Sequence, residues 1–259
     1  MSTPEQLFSL AGRKALVTGG SRGLGLQISE ALASAGAEVI ISARKQNELD
    51  TAVAHLQGLG ATASAISADM SKPDSVTALA EQAVEQAGHL DILVNNAGAV
   101  WVAKAEEHPL EAWQKLVNIN LTGIFVLTQR VAQLSMIPRR YGRVLNVASI
   151  AGLRGNQLGT NETLAYNTTK GGVVNFTRTL AGEWGQYGIT VNALAPGFFP
   201  TKMTNHALDT LEETLKSAAP LNRLGDSEDL KGASLLFCSE AGKHISGQIL
   251  AIDGGVSAV

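Results

Sequence analysis

Cysteine, histidine and net charge are all in short supply along these 259 residues. The single cysteine, Cys238, cannot close an internal disulfide, and it sits in the apolar run Ser234-Leu235-Leu236-Phe237-Cys238. That run points to a buried, inert thiol in a reducing compartment rather than to a nucleophile. The histidines, His55, His89, His108, His206 and His244, are scattered and form neither HxxxH nor HExxH, so no metal site is expected. A net charge of −3 leaves no basic footprint for nucleic acid or an anionic membrane. No apolar run approaches the roughly 18 residues that a membrane helix needs. The start of the chain, Met1 to Leu10, lacks a basic-then-apolar leader, so no signal peptide is visible and the cytoplasm is the default. Linkers, charge blocks and internal repeats are missing too, which leaves one domain over residues 1–259 as the expectation.

What the chain does have is alternation. Short, mostly apolar runs at 14–18, 38–42, 62–67, 91–95, 143–148, 190–195 and 248–252 read as strands. Helical stretches at 24–35, 46–59, 74–87, 110–136, 164–186, 205–217 and 228–240 lie between or beside them. Runs such as Ala15-Leu16-Val17 and Ile92-Leu93-Val94 are apolar on consecutive positions, as expected for parallel strands covered by helices on both faces. Gly36 and Gly88 are placed to end helices in a left-handed turn, and Ser71 with Asp74 suggests a capping box ahead of Pro73. Alternating β and α units of this kind specify a doubly wound α/β fold.

Between the first strand and the first helix stands Thr18-Gly19-Gly20-Ser21-Arg22-Gly23-Leu24-Gly25. A pyrophosphate has to lie against backbone N–H groups at a helix N-terminus, where side chains would hold it away. Gly19 would permit the tight turn, Gly23 the close approach and Gly25 the packing of helix on strand. Glycines also punctuate ordinary strand-to-helix turns, but the strand before and the helix after, opening a βαβ unit, favour dinucleotide binding. The second strand ends Ser42-Ala43-Arg44, so the carboxylate that would accept from an NAD ribose is missing at position 43. Arg44 and Arg22 offer forks that suit a phosphate instead.

Further along stand Asn95-Asn96-Ala97-Gly98, Asn118-Ile119-Asn120-Leu121-Thr122-Gly123, Asn146-Val147-Ala148-Ser149, Tyr166-Asn167-Thr168-Thr169-Lys170, Pro196-Gly197-Phe198-Phe199-Pro200-Thr201 and Ile252-Asp253-Gly254-Gly255. In this order, and after a TGxxxGxG loop, they resemble the motifs of the short-chain dehydrogenase/reductase family over almost the whole chain. The resemblance implies a single-domain Rossmann fold, with a parallel seven-stranded sheet and helices on both faces. It implies hydride transfer between NADP(H) and a ketone or secondary alcohol, with NAD(H) left open, and a homotetramer.

It also implies roles. Tyr166 is the general acid in reduction, and Lys170, four residues on and on the same helical face, lowers the phenol pKa and holds the nicotinamide ribose. Ser149 bonds the substrate oxygen. Asn120, rather than Asn118, bends its helix and connects Lys170 to solvent. Gly19, Ser21, Arg22, Gly23, Leu24, Gly25, Arg44, Asp69, Met70, Asn96, Ala97, Gly98, Pro196, Gly197, Phe199 and Thr201 fall at the cofactor positions, with Asp69 at the adenine and Thr201 at the carboxamide.

The substrate is read from the pocket segments. The stretch between Ser149 and Tyr166 is longer than the family usually has, and its insert, 153–162, is polar. That favours a sugar acid or another small polar or acidic ketone, and Arg154 or Lys202 would meet an anionic group on this or an acyl substrate. Phe198, Phe199 and Met203 favour a 3-oxoacyl thioester. Any substrate lid would run through 198–203, with His206 close behind. The reading from another class is a catalytically silent NADP(H)-binding sensor or scaffold, which would be expected to lack Ser149, Tyr166 or Lys170.

Overall fold

The structure, a computed structural model, describes residues 2–156, 162–202 and 204–259, and of 205–210 only the backbone. Its strands are β1 (Lys14–Thr18), β2 (Glu38–Ala43), β3 (Ala63–Ser67), β4 (Ile92–Asn95), β5 (Gly142–Val147), β6 (Ile189–Pro196) and β7 (Ile249–Ile252). They form one sheet in the order β3-β2-β1-β4-β5-β6-β7, and every pairing is parallel. The winding reverses between β1 and β4. In such sheets the crevice outside the carboxyl ends at the reversal is where a ligand binds.

Alternation along the strands explains the two layers. Ala15 and Val17 of β1 pack with Val39 and Ile41 of β2 against Ile28 and Leu32 of α2 (Gly23–Ser34) and Leu49 and Leu56 of α3 (Gln46–Gly58). Leu16 and Ile40 point the other way, into a cluster with Val76 and Leu79 of α4 (Pro73–Ala87) and Leu127 and Val131 of α6 (Gly123–Val131). Consecutive residues thus meet different helices, which is why the strands read as unbroken apolar runs. Cys238, at the end of α10 (Lys231–Cys238), is fully buried, and burial pushes its thiol up to about 12. Among the described residues no helix is long and apolar enough to cross a membrane, and no cluster of metal-ligating side chains occurs.

Several local readings need correction. Residues 110–136 do not form one α-helix. α5 (Leu110–Val117) passes into a π-helical turn at Asn118–Thr122, then α6, then a second π turn at Ala132–Met136 before α7 (Ile137–Arg139). The Ser71–Asp74 capping box does not form: Lys72 is the N-cap residue, and Ser71 bonds backward to Asp69. A helix that the sequence pattern did not announce, α1 (Pro4–Phe8), carries such a box at Thr3 and Gln6. Val173 and Val174 of α8 (Leu164–Trp184) are buried within the chain beside Ile124, Ala148 and Ala193.

Candidate active site

Gly19 turns the chain off β1 at φ 65°, and Gly23 opens α2 at φ 54°. A Cβ on Gly25 would fall 2.2 Å from the Gly19 carbonyl, so helix and loop can touch only through glycine. Asn96 stitches this turn to β4: its amide donates to the carbonyls of Thr18 at 2.9 Å and Gly19 at 3.2 Å. The Thr18 hydroxyl accepts from the backbone N–H of Asn96 and Ala97. Asn96 therefore supports the loop through its amide nitrogen. Asn95, whose role the sequence did not suggest, donates to Thr128 and Asn146, both at 2.8 Å in the buried interior, and ties β4 to β5.

The loop borders a cleft of about 620 Å³ at the carboxyl ends of the strands. Every residue singled out from the sequence for the cofactor lines this cleft, and so do Ser149, Tyr166 and Lys170. Asn120 lies behind it, fully buried. At one end are Arg22, Arg44, Lys45, Glu48 and Asp69. Burial opposes ionisation of Asp69, but the amide and hydroxyl of Ser71, with Arg44 and Lys72 nearby, hold its carboxyl below the usual range. Glu48, missed from sequence, pairs with Arg22 at 2.7 Å.

At the other end α8 carries Tyr166 and Lys170 one turn apart. The Lys170 ammonium stands 5.7 Å from the centre of the Tyr166 ring and donates to the Val147 carbonyl at 2.6 Å. The expected lowering of the phenol is not what the protein's own groups produce. Burial raises Tyr166 above the ordinary tyrosine value, with a hydrogen bond to Ser149 pulling the other way, and burial lowers Lys170 to about 8. Both shifts favour the neutral forms. Ser149 also caps the turn that follows β5, accepting from the Ala151 amide at 3.1 Å. Gly152 lets that turn lie on α8, because a Cβ there would be 2.5 Å from the Lys170 carbonyl carbon.

Asn120 sits in the π turn. Its Oδ1 accepts from the Ala99 amide at 2.9 Å, and its Nδ2 donates to the Ala99 carbonyl at 2.9 Å and to Thr169 at 3.1 Å. The widened turn agrees with the bend read from the sequence, and the amide holds the segment after Gly98 against α8.

The pocket segments are fixed in part. Thr163, Asn156 and Asn167 form a ring of hydrogen bonds of 2.8 to 3.1 Å that anchors both ends of the insert to α8. Residues 157–161, Met203 and the His206 side chain lie outside the described residues. Arg154 donates to the Val256 carbonyl at 3.0 Å and does not line the cleft, while Lys202 lies beside Glu48 at the arginine end. Neither placement supports the expectation that one of them meets an anionic substrate. Asp253 accepts from the amides of Gly255 and Ser257 and packs against Gly197, which lines the cleft.

A family model described as short chain dehydrogenase matches residues 13–212. A gluconate 5-dehydrogenase of Gluconobacter oxydans is 38% identical over 259 residues, 99% of each chain. A 3-oxoacyl-[acyl-carrier-protein] reductase of Synechocystis is 36% identical, covering 96% of this chain and 99% of its own. A solved gluconate 5-dehydrogenase from Burkholderia cenocepacia, in complex with NADP and tartrate, matches with a TM-score of 0.92 at 32% identity, over 99% of this chain and 100% of that one. Nothing in these likenesses favours a silent binding protein. The chain belongs to the short-chain dehydrogenase family and is an oxidoreductase acting on hydroxyl and keto groups.

Proposed function

We propose that this enzyme reduces a small polar or acidic ketone with NADPH and oxidises the matching secondary alcohol with NADP⁺, as one domain over residues 1–259. The observation that carries the reading is a single cleft that joins the Gly19–Gly25 loop, two arginines and the Ser149–Tyr166–Lys170 group. The glycine loop and the N-terminus of α2 offer N–H groups to a pyrophosphate. Arg22 and Arg44, with Ala43 in place of a carboxylate, suit a ribose 2′-phosphate, and NAD(H) is the weaker alternative. When bound, the nicotinamide supplies or takes the hydride.

The chain's residues handle the proton. Tyr166, kept protonated by burial, gives the proton on its Oη to the substrate oxygen in reduction. Ser149 donates a hydrogen bond to the same oxygen as negative charge grows on it. Lys170, with its value near 8, keeps appreciable positive charge at neutral pH and stabilises the phenolate left behind. Asn120 is a positioning residue that holds the Ala99 backbone.

A sugar acid is favoured by the polar insert and by gluconate dehydrogenases among the relatives. A 3-oxoacyl thioester is the second reading, favoured by Val100, Ile119 and Phe199 in the cleft wall and by the reductase relatives. A cytoplasmic homotetramer completes the proposal. It is supported by the buried, reduced Cys238 and by exposed apolar side chains at Leu110, Phe125 and Leu164.

The test measures NADPH consumption on keto sugar acids and 3-oxoacyl thioesters by wild type and Tyr166→Phe. Wild type should turn over at least one class, and the variant should lose about 10²–10⁴-fold in kcat while still binding NADPH. Near-normal kcat in the variant on that substrate would sink the assignment.

A further inference from the structure

Glu48 lies in the first turn of α3, with its carboxylate at the arginine end of the cleft. Oε2 is 2.7 Å from Arg22 Nη1, and Oε1 is 3.1 Å from Lys45 Nζ. The Lys45 hydrogen bond, aided by the fields of Arg22 and Lys202 against partial desolvation, holds the Glu48 carboxyl below the usual range. Arg44 and Lys202 line the same end and form no ion pair among the described residues. One of the two arginines suited to a phosphate is therefore already paired with an anion that the chain itself provides.

We propose that Glu48 is a built-in competitor for the ribose 2′-phosphate, and that it narrows the preference of this site for NADP(H) over NAD(H). The proposal rests on the NADP(H) reading of Arg22 and Arg44. A carboxylate and a phosphate engage a guanidinium through the same N–H donors, so they contend for one partner. They also repel each other at short range. A phosphorylated ribose must either displace Glu48 from Arg22 or lie beside a like charge. An unphosphorylated ribose carries no such charge, and its 2′-hydroxyl can donate to a carboxylate. Glu48 thus restores from a helix part of what Ala43 omits from the end of β2.

The experiment measures Kd by calorimetry for NADP⁺, NAD⁺, 2′,5′-ADP and 5′-AMP on wild type, Glu48→Gln and Glu48→Ala. Thermal melts without ligand check that each variant is folded. Freeing exposed cations from a surface-type pair should tighten NADP⁺ and 2′,5′-ADP by about 2- to 5-fold in both variants. NAD⁺ and 5′-AMP should bind no tighter than to wild type. Unchanged or weaker NADP⁺ binding would overturn the proposal, showing that Glu48 is neutral or instead pre-orients Arg22. Equal tightening of both nucleotide classes would overturn it too. Failure of the underlying NADP(H) reading shows separately, in wild type alone, as 2′,5′-ADP binding no better than 5′-AMP. The competitor proposal would then fall with it.

Discussion

Tyr166 and Lys170 stand one turn apart on α8, and burial drives both toward their neutral forms. Their spacing and the motif around them were legible in the sequence, as were Ser149 and the glycines of the loop. Their titration was not, because it depends on burial, which arises from the packing of α8 on the sheet. Glu48 was hidden for a related reason: nothing in Asn47-Glu48-Leu49 marks it, and it reaches Arg22 only through the packing of α3 beside α2. The buried lysine also makes a prediction. Its folded value of about 8 lies below the ordinary 10.5, so between those values the unfolded chain binds more protons than the folded one. Stability contributed at this site therefore rises with pH through that window, and the burial cost is present in full below it. Lys170→Met removes this dependence, along with turnover. In urea melts the stability of the variant relative to wild type should be highest near neutral pH and fall as pH rises from about 8 toward 10. A constant difference across that range would show that Lys170 does not titrate there.

At the scale of elements, strands and covering helices followed from apolar runs and periodicity, with ends misplaced by one to three residues. The stretch 110–136 was the largest miss. A π turn adds a residue to a helical turn without disturbing the apolar pattern enough to be read, and Asn118-Ile119-Asn120-Leu121-Thr122 holds no proline to announce a break. The turn matters because it places Asn120 on the Ala99 backbone. Glycine was the more informative signal. Gly25→Ala would set a Cβ 2.2 Å from a backbone carbonyl and 2.4 Å from the Asn96 amide, and neither can move without opening the loop. The expected result is a loss of about 1–3 kcal/mol in unfolding free energy, with weaker NADP⁺ binding. Gly58→Ala is the control. That glycine closes α3, has a negative φ and nothing within 4 Å of its added Cβ, so it should be neutral or stabilising by up to about 1 kcal/mol. Equal effects of the two substitutions in denaturant titrations would remove the argument for close packing at Gly25.

At the scale of the whole molecule, the homotetramer proposal draws on apolar side chains that the chain's own core leaves uncovered. Val173 and Val174 are apolar because they fill this chain's own core against β6 and α6. The side chains left over are elsewhere. Leu110 on α5 is 74% exposed, Phe125 on α6 46% and Leu164 at the start of α8 43%. Phe125 and Leu164 lie on helices that pack on the sheet, and α5 packs on α8. At the far side β7 is an edge strand whose Leu250 is exposed. Scattered apolar side chains are ordinary on a protein surface. Large ones on neighbouring helices and along an unpaired sheet edge are better explained by symmetric contacts, and two distinct isologous contacts are what a dimer of dimers requires. Light scattering on wild type at micromolar concentration should give a mass near four times the 27.0 kDa of the chain. Phe125→Glu places a charge where the proposed helical contact would bury a ring, and it should shift that mass to a dimer held by the remaining contact, while the monomer fold and its melting by near-ultraviolet circular dichroism are retained. A wild-type monomer would defeat the proposal outright. A Phe125→Glu tetramer of unchanged stability would exclude α6 from the interface and leave the β7 edge to account for assembly.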